Sequence, residues 1–158
     1  MKKEKTTTNT KDWKKMLVNL EEKLNLYFGE KAPQLPEKVR SVLVKISPYL
    51  ILISVIFSLP AILAALGLGA ILAPIGLFAG VSEGFHFSIG LLITLAVIVL
   101  EIMALPGLFK NKKSAWNLMF YTTLINAVYA LLTLSLGSLI IGTALSWYFW
   151  FQIRSFYK

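Results

Sequence analysis

Between Asp12 and Tyr27 the apolar residues recur with the period of an α-helix. Trp13, Met16, Leu17, Leu20, Leu24 and Tyr27 stand at i, i+3, i+4, i+7, i+11 and i+14, with Lys14, Lys15, Glu21, Glu22 and Lys23 on the other sides. One face of a helix with 3.6 residues per turn produces that stripe. The pattern therefore predicts an amphipathic helix, with Asp12 as its N-cap and Gly29 as its stop. Its apolar face has two uses open to it, lying in the headgroup region of a membrane or docking on the rest of the chain. Residues 1–11, MKKEKTTTNTK, are polar and aperiodic and read as a disordered tail. The segment KAPQLPEK interrupts the pattern with Pro33 and Pro36, and a second helical stretch starts near Glu37. Val39, Val42, Leu43 and Ile46 then carry an apolar face onward, which makes 12–46 a helical arm ahead of the region 47–158.

From residue 47 the amphipathic period gives way to long uncharged apolar runs. Four of them, about 48–66, 87–105, 116–136 and 138–153, are read as membrane spans, since about 20 apolar residues cross a hydrocarbon core of about 30 Å. Pro60 is expected to kink the first, Pro106 and Gly107 to end the second, and Leu136–Gly137–Ser138 to form the turn before the last. Residues 67–85 fit this scheme least. Pro74 and the glycines Gly76, Gly80 and Gly84 break the run, so it reads as a re-entrant or interfacial segment. Trp116, at the start of the third span, and Trp147–Tyr148–Phe149–Trp150–Phe151, at the end of the fourth, are expected at the membrane interface. The fold class is thus all-α: a four-helix transmembrane domain with an amphipathic arm.

Composition sharpens this picture. Hydrophobic residues make up 56% of 158 positions, above the roughly 45–50% of soluble domains, so a soluble enzyme is disfavoured. The net charge of +8 is concentrated at the N-terminal end. Residues 46–100 and 114–153 contain a single charge between them, Glu83. With four spans, the basic arm, the Lys110–Lys112–Lys113 loop and the Arg154/Lys158 tail fall on one side, which the positive-inside rule makes cytoplasmic. Both termini are then cytoplasmic, with 67–85 on the outer side. The mostly polar stretch before the first apolar run does not read as a cleavable signal. Attraction to anionic lipid accounts for the basic arm, with Trp13, Lys14, Lys15, Leu17 and Leu20 as its membrane-surface residues; six interspersed acids make nucleic acid a poor partner.

The chain has no cysteine and one histidine, so thiolate chemistry is excluded and no catalytic, metal or cofactor site is expected. Glu101, an acid inside a span, is the first polar candidate, either paired structurally with Lys45, a loop lysine or Arg154, or serving a proton or cation pathway. Thr122, Asn126, Tyr129 and Thr133 share one face of the third span, for interhelical hydrogen bonds or for a polar lining. Glu83 and His86 sit at the outer mouth. Small residues form faces suited to close helix packing: Ser54, Ser58, Ala61 and Ala65 in the first span, the glycine row Gly76, Gly80 and Gly84, and Ser138, Gly142 and Ser146 in the last.

The stretches ALPGLFKNKKSAWNL, YTTLINAVY and IIGTALSWYFWFQIRSFYK resemble small four-span bacterial inner-membrane proteins without an assigned activity. The likeness covers about residues 46–158. It implies the same layout with both ends inside, and no functional residues transfer with it. The expected function is a non-enzymatic, oligomeric or partner-binding structural component of the membrane. The alternative is a small oligomeric transporter or channel using Glu101 and the Thr122/Asn126/Tyr129/Thr133 face.

Overall fold

A computed structural model of the chain describes the backbone of residues 9–79 and 81–158, and the side chains of 12–60, 62–64, 66–67 and 89–158. It is helical throughout, with no strand among the described residues. Helix α1 spans Asn9–Leu24, starting three residues before the expected Asp12 cap. Nor does Gly29 stop it: the chain widens into a π-helical stretch, Asn25–Lys31, and leaves the helix only at Ala32, which is extended at φ −66°, ψ 153°. Pro33 explains that end point, because a proline drives the preceding residue out of the helical region.

Helix α2, Glu37–Ala79, joins the end of the arm, the first span and most of 67–85 in one helix, and α3, Val81–Phe109, follows after a single position. Residues 67–79 and 81–85 are therefore helical, continuous with α2 and α3. Runs of Leu, Ile and Ala hold helical backbone, and one proline removes a single N–H donor and crowds one carbonyl, which the helix absorbs at Pro74 as at Pro60. Likewise α3 passes through Pro106 rather than ending there. It ends in a left-handed cap instead: Asn111 has φ 49°, Lys112 N–H donates to Gly107 O at 2.8 Å and Asn111 N–H to Leu108 O at 3.1 Å. Those paired bonds satisfy the orphan carbonyls of a helix end, and Asn tolerates the left-handed region better than most residues.

Helix α4, Lys113–Leu132, ends in the same motif four residues earlier than the expected span. Ser135 N–H donates to Ala130 O at 2.9 Å and Leu134 N–H to Leu131 O at 3.1 Å, with Leu134 at φ 51°. The turn therefore lies at Thr133–Ser135 and not at Leu136–Ser138. A π-helical stretch Ser138–Gly142, the helix α5, Thr143–Ile153, and a 3-10 turn Arg154–Phe156 complete the chain.

Among the described residues three helical stretches, Glu37–Ala64, Ile89–Phe109 and Lys113–Leu132, are long and apolar enough to cross a membrane, against the four expected. The π-helical stretch separates the last apolar run into pieces, and the regular helix that remains has only 11 residues.

Helices α2, α3 and α4 pack as successive antiparallel neighbours. The α3–α4 contact is tight because glycines face it: a Cβ on Gly107 would lie 2.7 Å from Ala115 Cβ, and one on Gly90 2.6 Å from the Tyr129 hydroxyl. The main core sits at the α3–α4 loop end, where Val44, Ala104, Leu108, Ala115, Trp116, Met119, Phe120, Phe151, Ile153 and Tyr157 are buried together. A smaller cluster of Val55, Ile62 and Ile98 joins α2 to α3 further along. Trp116 is 0% exposed, stacked on Phe120 and edge-on to Phe151. Trp116 is thus packed inside the protein, and Phe151 of the aromatic block is buried as well, because α5 folds back beside the start of α4.

Candidate functional site

Helix α1 docks on the bundle through a face rotated from its predicted stripe. Leu17 and Leu24 are half-buried, Phe28 meets Trp147 edge-on, and Glu21 lies between them one turn from each. Met16, at 70% exposed, and Trp13, at 47%, remain open with Leu20 and Tyr27. The predicted stripe thus divides. Its Leu17/Leu24 side packs on the protein, and its Trp13/Met16/Leu20/Tyr27 side is uncovered.

Glu21 is the hinge of this docking. Its Oε1 accepts hydrogen bonds from Lys113 Nζ at 2.8 Å, Arg154 Nε at 2.9 Å and Arg154 Nη2 at 2.7 Å. Three segments far apart in sequence are tied by one carboxylate: α1, the first residue of α4 and the end of α5. Lys113 Nζ also stands 3.6 Å from the centre of the Trp116 ring, and the Arg154 guanidinium 5.6 Å from it. Both cations therefore gain from the ring face. Burial by itself raises the Glu21 carboxyl, but the hydrogen bonds and charges of Lys113 and Arg154 outweigh it and hold the group below its ordinary 4.5.

A carboxyl depressed in the folded state adds stability above its unfolded pKa, and that stability is lost as pH falls through the folded value. Glu21→Gln is accordingly expected to cost about 1–2 kcal/mol near neutral pH, since hydrogen bonds to charged groups are being lost at a half-covered site. Thermal unfolding in detergent checks this: the gap between the parent and the variant should close as pH drops below about 4. A gap independent of pH would assign the loss to packing and not to charge.

Gln152 forms a second anchor. Its side chain is 2% exposed, accepts Leu35 N–H at 3.1 Å and donates to Phe28 O at 3.1 Å and Pro33 O at 3.4 Å. Tyr148 adds a hydroxyl donated to Pro33 O at 2.7 Å. Extended backbone around Pro33 has no helical partners of its own, and these side chains supply them. At the C-terminal end Lys113 N–H donates to Lys158 O at 2.7 Å and Lys158 N–H to Asn111 O at 2.9 Å, while Ser47 and Tyr157 share a hydroxyl contact at 3.0 Å. Pattern reading missed Glu21 and Gln152 as anchors. The available signal was position: Glu21 falls on the Leu17/Leu24/Phe28 row, and Gln152 is the one uncharged amide in an aromatic block.

The other sequence candidates scatter. Glu101 lies half-buried on the Val97/Ala104/Leu108 side of α3 and has no ion pair or hydrogen bond among the described residues; Arg154 and Lys113 are engaged by Glu21, and Lys45 is exposed. The expected pairing of Glu101 with Lys45, a loop lysine or Arg154 is therefore absent from the structure. Thr122 donates to Met119 O at 2.7 Å and Thr133 to Tyr129 O at 2.9 Å, both within their own helix. Asn126 is exposed, and Tyr129 is half-buried against Gly90. Ser54 is exposed, and Ser58 donates to Val55 O of its own helix at 2.8 Å. Ser138 and Gly142 are exposed, Ser146 is half-buried, and a Cβ at Gly142 would meet nothing within 4 Å. Lys14 and Lys15 are exposed like their neighbour Trp13. The side chains of Ala61, Ala65, Glu83 and His86, and the glycine row Gly76, Gly80 and Gly84, lie outside the described residues.

Among the described residues no group of three histidine or acidic side chains is placed to hold a metal ion. The chemistry of the site is charge closure: one carboxylate held by two cations over an aromatic ring, which binds segments together. No protein-family model matches the chain, and neither a curated protein nor a solved structure does.

Proposed function

We propose that the chain is a non-enzymatic, multi-pass protein of the bacterial inner membrane that works as an oligomeric or partner-binding structural component. The observation that carries this reading is how little of its own apolar surface the chain covers. Only 24%, 17% and 39% of the apolar windows of the three long stretches are buried within the chain. Lipid takes part of that surface, and small open positions such as Ser138 and Gly142 suit a helix of another chain.

The fourth span of this reading is the helical run 136–153. Its support is connectivity: Lys158 is hydrogen-bonded to Asn111 and Lys113 at the start of α4, so the chain that leaves the far end of α4 has to return over the same distance. Eighteen residues at about 1.5 Å each span about 27 Å, close to a hydrocarbon core. The same return brings the arm, the lysine loop and the basic tail to one end, in keeping with both termini being cytoplasmic.

A second reading, a small oligomeric transporter or channel, rests on Glu101, an intramembrane acid without a partner among the described residues. The Thr122 and Thr133 hydroxyls bonded within α4 leave less for a polar lining.

Native mass spectrometry of the full chain from mild detergent tests the proposal. A closed oligomer is expected, and Gly142→Leu, which meets no neighbour within the chain, should shift it toward monomer with the fold retained. A parent that is monomeric and carries no other protein would overturn the structural-component reading. Solute flux in proteoliposomes that Glu101→Gln abolishes would replace it with the transporter.

A further inference from the structure

Helix α1 and the stretch that follows it are gripped in different ways. Neutral groups hold the base: Gln152 bonds Leu35 N–H, Phe28 O and Pro33 O, Tyr148 bonds Pro33 O, and Leu24 and Phe28 pack on the main core. Between Asn9 and Leu24, by contrast, every hydrogen bond to the bundle among the described residues ends on one atom, Glu21 Oε1. The other polar side chains from Asp12 to Lys23 are exposed. Ahead of Glu21 the helix lies over an open-sided cleft of about 220 Å³, with Trp13, Leu17 and Val18 on its own side and Phe120 and Tyr121 on the α4 side. Walls left apart in this way forgo the dispersion contacts that close packing supplies. The N-terminal half of α1 is therefore fastened by one carboxylate across an interface it only partly fills.

We propose that α1 is a hinged strap with two seats, the one on α4 and α5 and another in the headgroup layer of the membrane, and that Glu21 is the latch of the first. The inference rests on the chain being a membrane protein and is independent of its oligomeric state. The second seat is written in the apolar stripe. Trp13, Met16, Leu17, Leu20, Leu24 and Tyr27 share one face, yet docking turns only Leu17 and Leu24 inward and leaves the other four open. The bundle thus uses part of the stripe, whereas a headgroup layer takes all of it. A hinge stands in the right place, because the helix turns π-helical at Asn25, between the latch and the Gln152 and Tyr148 bonds, and helices bend at π-bulges. Opening also strands no buried charge. The Lys113 and Arg154 side chains are 33% and 31% exposed, so water replaces the carboxylate when Glu21 leaves, and both cations keep the Trp116 ring face.

The test is a spin-label distance measurement on the full chain in nanodiscs of phosphatidylcholine and phosphatidylglycerol, which a chain without cysteine makes direct. Labels on Asn19→Cys and Lys110→Cys report the tip of the strap, those on Lys31→Cys and Lys110→Cys its base, and those on Lys45→Cys and Lys110→Cys the bundle; all four positions are exposed. Labelled chains are diluted with unlabelled parent, so distances between copies do not enter. Two tip distances are expected, the shorter dominant, against one base distance. Glu21→Gln should raise the longer tip population about fivefold or more, as the loss of hydrogen bonds to charged groups provides, and Lys113→Gln should shift it the same way. Glu22→Gln, next in sequence and exposed, should match the parent. The base and bundle distances should hold in every variant, which separates an opened strap from a misfolded chain. A single tip distance in both Glu21→Gln and Lys113→Gln, or tip and base moving together, overturns the strap. An equal shift in Glu22→Gln overturns Glu21 as its latch. The longer distance should also be narrow in nanodiscs and broad in amphipol, and equal breadth in the two overturns the membrane seat. A monomeric parent in native mass spectrometry sinks the structural-component reading and leaves each of these outcomes intact.

Discussion

Trp116→Ala is expected to cost about 3–5 kcal/mol of stability, the usual loss for a buried large aromatic. Trp116 has no exposed surface, stacks on Phe120, meets Phe151 edge-on and donates its Nε1–H to Trp150 O at 2.9 Å. Its removal leaves a cavity, an unpaired carbonyl on α5, and two cations without their ring face. Trp116→Phe keeps most of the packing and loses the hydrogen bond, so about 1–2 kcal/mol is expected there. Thermal unfolding of both variants in detergent checks the order. An alanine variant as stable as the parent would mean that this cluster is not the core of the protein.

Gln152→Leu has the second large effect, about 2–4 kcal/mol, because it conserves volume while taking this partner from Leu35 N–H and Phe28 O and leaving Pro33 O to Tyr148 alone. Leu35 N–H and the carbonyls of Phe28 and Pro33 lose the partner that holds the arm to α5. The loss should be local as well as global. Hydrogen exchange is expected to rise across residues 25–36, while the α3–α4 hairpin keeps its protection until the whole protein unfolds. Equal exchange in the arm of parent and variant would show that Tyr148 and Glu21 suffice to hold it.

These two residues also mark where pattern reading stops. An amphipathic α1 was legible from its spacing, yet the docking face is set by Glu21, whose partners Lys113 and Arg154 lie 92 and 133 positions away. A window of fifteen residues contains no trace of such a contact. Trp116 read as interfacial because a tryptophan beside lysines at the start of an apolar run is the usual belt. Whether it faces lipid or protein depends on α5 returning beside it. Pro106 read as a stop because a proline lacks an N–H, whereas a long apolar helix absorbs one missing bond when its neighbours remain paired.

Turn chemistry was misread for a related reason. Pro106–Gly107 and Leu136–Gly137 looked like stops, but the chain turns at Asn111 and Leu134, where backbone bonds to Gly107 and Ala130 close each helix. Gly107 serves packing instead, with no room for a Cβ against Ala115.

By itself the sequence determined the all-helical class, the long apolar stretches and the amphipathic character of α1, since each follows from local hydrophobicity and period, which are properties of neighbours in the chain. Only the tertiary structure decided that α1 is bound by a carboxylate clamp, that Trp116 and Gln152 are buried, and that α2 runs on to Ala79 where a broken segment was expected. Those outcomes depend on which partner arrives across a hundred residues, and on whether long-range packing compensates a local defect. Free energy terms of that kind have no signature in the local pattern.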